Sequence, residues 1–233
     1  MSGILYGIGV GPGDPELMTL KAVRTALRCD LLAIPSRDPK RCTALRIALG
    51  AAPELAEKPL LPVDMPMTKD REKLERAYTE GAKQLADALS QGKNVGFLTL
   101  GDPTVYSTYL YLHRRVAALG CRTEIIPGVP SFCAAAARLG ISLCENREQL
   151  HIIPGTYTPV EALALPGTKV LMKNDLRQTL PELRKRALPA YMAENCGMET
   201  ERLYRGADEI PEDAGYFSLL IVKDPPEEKN GAL

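Results

Sequence analysis

The chain has 233 residues, 45% of them hydrophobic, and its 29 Lys plus Arg balance 29 Asp plus Glu. Zero net charge removes the electrostatic footprint of a nucleic-acid binder. No apolar run reaches the roughly 18 residues of a membrane span, and the first residues show no basic-then-apolar leader pattern, so the expectation is a cytoplasmic protein with no membrane partner.

In chain order, residues 4–10 read as a first strand that runs into a loop dense in Gly and Pro. A helix is expected over 19–28, then a short buried strand at 30–34 stopped by Pro35. Residues 44–49 read as helical, and Pro59, Pro62 and Pro66 break the chain into extended pieces. The clearest helix spans 71–90, where Leu74, Tyr78, Leu85 and Leu89 share one face and Gly92 follows as a C-terminal cap. A strand at 94–99 ends in Gly101-Asp102-Pro103, a helix follows over 106–118, and 121–126 is another strand. Pro127-Gly128-Val129-Pro130 is the strongest punctuation in the chain and sets the expected boundary between domains 1–126 and 127–233. Beyond it come an Ala-rich helix over 131–139, strands at 150–153, 169–172, 190–193 and 216–222, and a helix over 175–187. Residues 224–233 are expected to form a short polar tail. Alternating short apolar runs and helices make the fold class α/β, with two α/β domains.

No two of the six cysteines stand three positions apart, and His113 and His151 have no ligand spacing, so no metal site is read. The cysteines read as reduced thiols, mostly buried small hydrophobes.

Gly7-Ile8-Gly9-Val10-Gly11-Pro12-Gly13-Asp14 invites a nucleotide-loop reading. It fails the G-x-G-x-x-G test from either starting glycine, and no G-K-[ST] follows, so phosphate cradling is excluded. What remains is a stiff, bare loop at the end of a strand, fit for a tight turn or for close ligand approach. Leu98 to Tyr106 repeats the plan with Gly101-Asp102-Pro103, and Pro127 to Ser131 follows a third strand. Asp102 reads equally as an N-cap, Tyr106 as a core aromatic and Met172 as core.

Taken in order, the three loops (Gly9 to Asp14, Gly101 to Pro103, Pro127 to Ser131) resemble those of the tetrapyrrole (corrin and porphyrin) methylase family. Met65 to Asp70, Thr99 to Thr108, Val170 to Lys173 and Tyr216 to Ser218 resemble the branch that methylates C20 of precorrin-2 or cobalt-factor II. The resemblance implies a cofactor cleft between two α/β domains, a homodimer, and S-adenosylmethionine held largely by main-chain groups. It implies cofactor contacts at Pro12, Leu100, Gly101, Asp102, Val105, Tyr106, Pro130, Ser131, Met172, Lys173, Asn195, Cys196, Ser218 and Leu219. A tetrapyrrole substrate bears many carboxylates, so Lys69, Arg71, Arg147, Lys173 and Arg177 are candidate substrate contacts. No residue is identified as a catalytic base. Methylation at another ring position, and a non-catalytic cofactor- or tetrapyrrole-binding protein, stay open, as does the choice between metal-free and cobalt-bearing substrate.

Overall fold

The computed structural model describes residues 2–225. The chain divides into two compact units, Met1–Pro130 and Ser131–Leu233. Both are α/β.

In the first unit five parallel strands, β1 (Ile4–Gly9), β2 (Leu31–Ile34), β3 (Leu60–Pro62), β4 (Val95–Thr99) and β5 (Arg122–Ile126), lie in the order β3-β2-β4-β1-β5. β2 and β4 are buried along their whole length, as unbroken apolar runs covered on both faces should be. Helices α1 (Leu20–Arg28) and α2 (Thr43–Ala51) belong to one core, with Ile8, Leu32, Ile34 and Leu98. Helices α3 (Arg71–Ser90) and α4 (Tyr109–Ala118) belong to a second, with Leu5, Val95 and Phe97. Each fully buried leucine there, such as Leu85, Leu89 or Leu112, contributes about 1.5–3 kcal/mol. Asp70 caps α3 by accepting the N–H groups of Glu72 and Lys73.

The Tyr109 ring packs against β1 at Gly7. A Cβ added to Gly7 would stand 2.0 Å from its ring, which explains a glycine inside a central strand. Gly7→Ala is expected to destabilise the protein by about 3 kcal/mol through overpacking. In urea unfolding, adding Tyr109→Leu should recover part of that loss; a Gly7→Ala protein as stable as wild type would refute the account.

The second unit has a mixed sheet, β6 (Leu150–Pro154), β7 (Thr168–Met172), β8 (Ala190–Glu194), β9 (Arg202–Arg205) and β10 (Ser218–Val222), in the order β6-β7-β10-β8-β9. β6 and β7 are parallel and the other pairs antiparallel. Helix α5 (Ser131–Leu139) lies against β8, β9 and β10. Helices α6 (Pro159–Leu163) and α7 (Leu176–Arg186) pack through Leu163, Leu176, Leu180 and Leu183.

Four local expectations are corrected. The helix expected from 106 starts at Tyr109, because Tyr106 takes a left-handed conformation, φ 47°. The strand expected from 216 starts at Ser218. β9 and α6 were not anticipated; one is a four-residue strand flanked by arginines, the other a single turn. Of the expected tail, residues 226–233 lie outside the described residues, and Asp224 is no tail residue. Its carboxylate accepts the Gly167 N–H at 2.6 Å and pairs with the ammonium of Lys169, which is 1% exposed.

Burial raises the Asp224 pKa, but the bonds from Lys169 and Gly167 and the Lys169 charge together outweigh it and hold the carboxyl below its ordinary value. A carboxyl lowered on folding stabilises the native state above its unfolded pKa of about 4 and loses that contribution as pH falls through the native value. Asp224→Asn is expected to cost about 2 kcal/mol at pH 7, between exposed-pair and buried-pair values because the carboxylate is half-exposed. The gap from wild type should narrow below about pH 4. A pH-independent gap in denaturation curves would remove the titration argument.

Candidate active site

The carboxyl ends of the adjacent strands β4, β1 and β5 deliver the three loops to one place in the first unit. In open parallel sheets such ends are where ligands bind. Val10 N–H donates to Thr99 at 3.0 Å, and Gly101 N–H donates to the Gly11 carbonyl at 2.8 Å. Gly11 and Gly101 thus form an isolated antiparallel bridge just past the ends of the parallel β1–β4 pair. Thr19 caps α1 through Ala22 N–H, and its hydroxyl also reaches the Pro127 carbonyl at 3.4 Å.

Asp102 joins the second loop to the third. It is buried; Oδ1 accepts the N–H of Thr104 at 2.7 Å and the Thr104 hydroxyl, and Oδ2 accepts the N–H of Gly128 at 2.9 Å. The aspartate caps a turn, not a helix, and ties two loops 26 residues apart. Neither Thr19 nor the Gly128 N–H was singled out in the sequence. Their roles are long-range and leave no local pattern.

The loops approach so closely that only glycine fits at two positions. A Cβ on Gly128 would lie 2.2 Å from the Gly101 carbonyl oxygen, and one on Gly9 would lie 2.7 Å from the same atom. Gly101 differs. Its φ is 69°, and a Cβ there would meet no atom within 4 Å. The junction is therefore dense behind and bare in front, which suits a cofactor gripped by main-chain groups. Pro12 is buried in this loop set, Leu100, Val105 and Pro130 are half-buried, and Tyr106 is exposed.

In the second unit the pairing β7–β10–β8 sets Met172 opposite Leu219, and Ser218 opposite Glu194, the residue before Asn195. Met172, Lys173, Asn195, Cys196, Ser218 and Leu219 thereby gather at one end of three neighbouring strands. Ser131 opens α5. Strand alternation does not reach Lys173. β7 ends at Met172, and Lys173 is left-handed, φ 56°, with its ammonium 4.9 Å from the Tyr216 ring centre. The Asn195–Gly197 loop is fastened by Glu201, which accepts the Gly197 N–H at 2.7 Å and the Arg138 Nε at 2.8 Å. The Arg138 bond is the chief cause holding the Glu201 carboxyl below its ordinary range.

The basic candidates are all exposed. Lys69 and Arg71 flank the cap of α3, Arg147 precedes β6, and Arg177 sits in the first turn of α7. Among the described residues none of these four is in an ion pair, so each is available to an anionic ligand.

Nothing near the loops has the signature of a nucleophile. Burial pushes the Cys29 thiol up to about 12 and also raises Cys42, the reverse of an activated thiolate; against the expectation of buried thiols, Cys133 and Cys144 are exposed. His113, lowered by burial, faces the Tyr109 hydroxyl at 3.1 Å and Thr123 at 3.4 Å, a packed polar pair within the fold. Among the described residues no group of three His, Cys, Asp or Glu is placed to hold a metal ion, and no helix is long and apolar enough to cross a membrane.

The sequence matches the family model described as Tetrapyrrole (Corrin/Porphyrin) Methylases over residues 4–209. It is 32% identical to a precorrin-2 C(20)-methyltransferase of Sinorhizobium, covering 97% of this chain and 100% of that protein. It is 33% identical to a probable cobalt-precorrin-2 C(20)-methyltransferase of Methanocaldococcus jannaschii, covering 94% and 95%. Its fold resembles the crystal structure of uroporphyrin-III-C-methyltransferase from Thermus thermophilus, with TM-score 0.72, 25% identity and coverage of 96% and 93%. With three bare loops locked at the carboxyl ends of parallel strands, and a match from the first strand into the last third of the sequence, the chain belongs to the tetrapyrrole (corrin/porphyrin) methylase family.

Proposed function

We propose that the protein is an S-adenosylmethionine-dependent methyltransferase that acts on C20 of precorrin-2 or cobalt-factor II in cobalamin biosynthesis. The observation that carries this reading is the locked three-loop junction, in a chain alike nearly end to end to proteins named for that reaction. The cofactor contacts are Pro12, Leu100, Gly101, Asp102, Val105, Tyr106 and Pro130 in the first unit, and Ser131, Met172, Lys173, Asn195, Cys196, Ser218 and Leu219 in the second. Asp102 works chiefly through the loops it ties. The chain passes from the first unit to the second at Pro130, at the end of the Pro127–Pro130 punctuation where the sequence had set the boundary after residue 126, and the enzyme is a cytoplasmic homodimer.

Bound S-adenosylmethionine supplies a methyl group already activated on a sulfonium, so no covalent enzyme intermediate is needed. The chain's part is to hold the two reactants in line and keep water out. Backbone N–H and C=O groups of the bare loops suit the cofactor, since they add no bulk. Lys69, Arg71, Arg147, Lys173 and Arg177 suit the substrate carboxylates, the arginines through forked contacts. Cobalt, where present, arrives within the substrate.

The test is anaerobic incubation with S-adenosylmethionine and each substrate, read by product mass and labelled-carbon NMR. One added methyl on C20 is expected, and the faster substrate identifies the metal state. A label on another carbon would move the assignment to that position. Cofactor binding with no mass gain on either substrate would overturn the C20 reading.

A further inference from the structure

Two of the most solvent-exposed aromatic side chains of the second unit are neighbours. Tyr216 is 54% exposed and Phe217 is 37% exposed, and their rings meet edge to face at 5.2 Å. Rings of this size usually lie under other side chains; here they are held out on a clamped loop. On one side the Gly215 N–H donates to Oε1 of the buried Glu194 at 2.6 Å. On the other the Asn195 N–H donates to the Phe217 carbonyl at 3.0 Å. Tyr216 and Phe217 sit between these bonds, directly before β10 begins.

The third member is Lys173, whose ammonium lies over the Tyr216 ring. Among the described residues it is in no ion pair. Lys173 and Asn195 both hold left-handed backbones, φ 56° and 49°, a conformation that side chains other than glycine adopt at a cost. Such outliers persist where surrounding structure enforces them, and they concentrate at ligand sites. An exposed cation–π contact is too weak to enforce this arrangement by itself.

We propose that Tyr216, Phe217 and Lys173 form the seat of the tetrapyrrole, with the macrocycle stacked on one of the two nearly perpendicular rings and meeting the edge of the other, and a peripheral carboxylate on the Lys173 ammonium. The proposal rests on the methyltransferase reading above and assigns its substrate surface. A broad unsaturated ring with an anionic rim needs an aromatic surface with a cation at its edge. The adenine of the cofactor needs no such cation, which favours the macrocycle as occupant.

The test titrates precorrin-2 and cobalt-factor II without air, by absorbance, into wild type, Tyr216→Ala, Tyr216→Phe, Lys173→Met and Lys173→Arg, with S-adenosylmethionine affinity and Tm measured alongside. Tyr216→Ala should weaken tetrapyrrole binding about tenfold and leave cofactor affinity within about twofold, while Tyr216→Phe, which keeps the ring, stays near wild type. Lys173→Met should weaken it similarly and flatten its salt dependence, and Lys173→Arg should restore both. Because both side chains are exposed, unchanged Tm values will separate binding loss from misfolding. Wild-type affinity in Tyr216→Ala and Lys173→Met would overturn the seat and leave the methyltransferase reading standing. So would a loss confined to S-adenosylmethionine. A wild-type protein that binds no tetrapyrrole would overturn both.

Discussion

Asp102→Ala is expected to lower both stability and S-adenosylmethionine affinity, the latter by about a hundredfold. The carboxylate is 8% exposed and accepts from the Thr104 N–H, the Thr104 hydroxyl and the Gly128 N–H. Hydrogen bonds to a charged acceptor contribute about 1.5–3 kcal/mol each, and they do not add. Truncation also leaves the part-buried Gly128 N–H without its acceptor. A net stability loss of about 3 kcal/mol is expected. Affinity falls chiefly because the second and third loops lose the bond that sets their spacing. Thr104→Val removes only the hydroxyl bond and is the mild control. Asp102→Asn is intermediate: one oxygen still caps the turn, but an NH2 group then faces the Gly128 N–H. Isothermal titration with S-adenosylmethionine and urea unfolding on the same samples decide the matter. A protein that melts lower yet binds cofactor as wild type would show that this junction is scaffolding and that the cofactor lies elsewhere.

Much of the architecture is legible in the residues themselves, for reasons that also mark where legibility stops. β2 and β4 are written as unbroken apolar runs because a parallel sheet is covered on both faces. α3 is written in the spacing of Leu74, Tyr78, Leu85 and Leu89, of which Tyr78, Leu85 and Leu89 are buried. The three loops announce themselves through Gly and Pro, whose backbone freedoms are local properties. What could not be read depends on partners far along the chain. Nothing near Asp224 says that it neutralises a buried lysine 55 residues earlier. Nothing near Gly128 says that its N–H belongs to an aspartate 26 residues back. The placing of Lys173 is not legible either, because β7 ends at Met172 and the backbone turns left-handed at the next residue, where strand alternation no longer applies. Arg202–Arg205 hid because it is a four-residue edge strand with exposed arginines at both ends and only two half-buried residues between them, too short an apolar signal to read.

Paired alanine substitutions at Gly128 and Gly101 separate the back of the junction from its front. At Gly128 the new Cβ would stand 2.2 Å from the Gly101 carbonyl oxygen and 2.9 Å from two backbone atoms of Gly9. All three neighbours are main chain, fixed by the Gly11–Gly101 bridge and the β1 ladder, so none can swing aside as a side-chain tip would. The loops must part. Gly128→Ala is therefore expected to destabilise the protein by about 4 kcal/mol, at the severe end for single substitutions, and to abolish measurable cofactor binding. At Gly101 the new methyl meets nothing within 4 Å, and its only intrinsic penalty is the left-handed φ of 69°, about 1 kcal/mol. That variant should fold nearly as well as wild type. Its methyl nevertheless projects from the bare face, where a ligand gripped by the loop backbone has to lie. Gly101→Ala should thus weaken S-adenosylmethionine at least tenfold while Tm falls by only a few degrees. If Gly101→Ala binds the cofactor as wild type, the open side of the loop is not the binding face. If Gly128→Ala is as stable as wild type, the close approach of the three loops is not what holds them. The bare front and the dense back are independent claims, and each variant tests one of them.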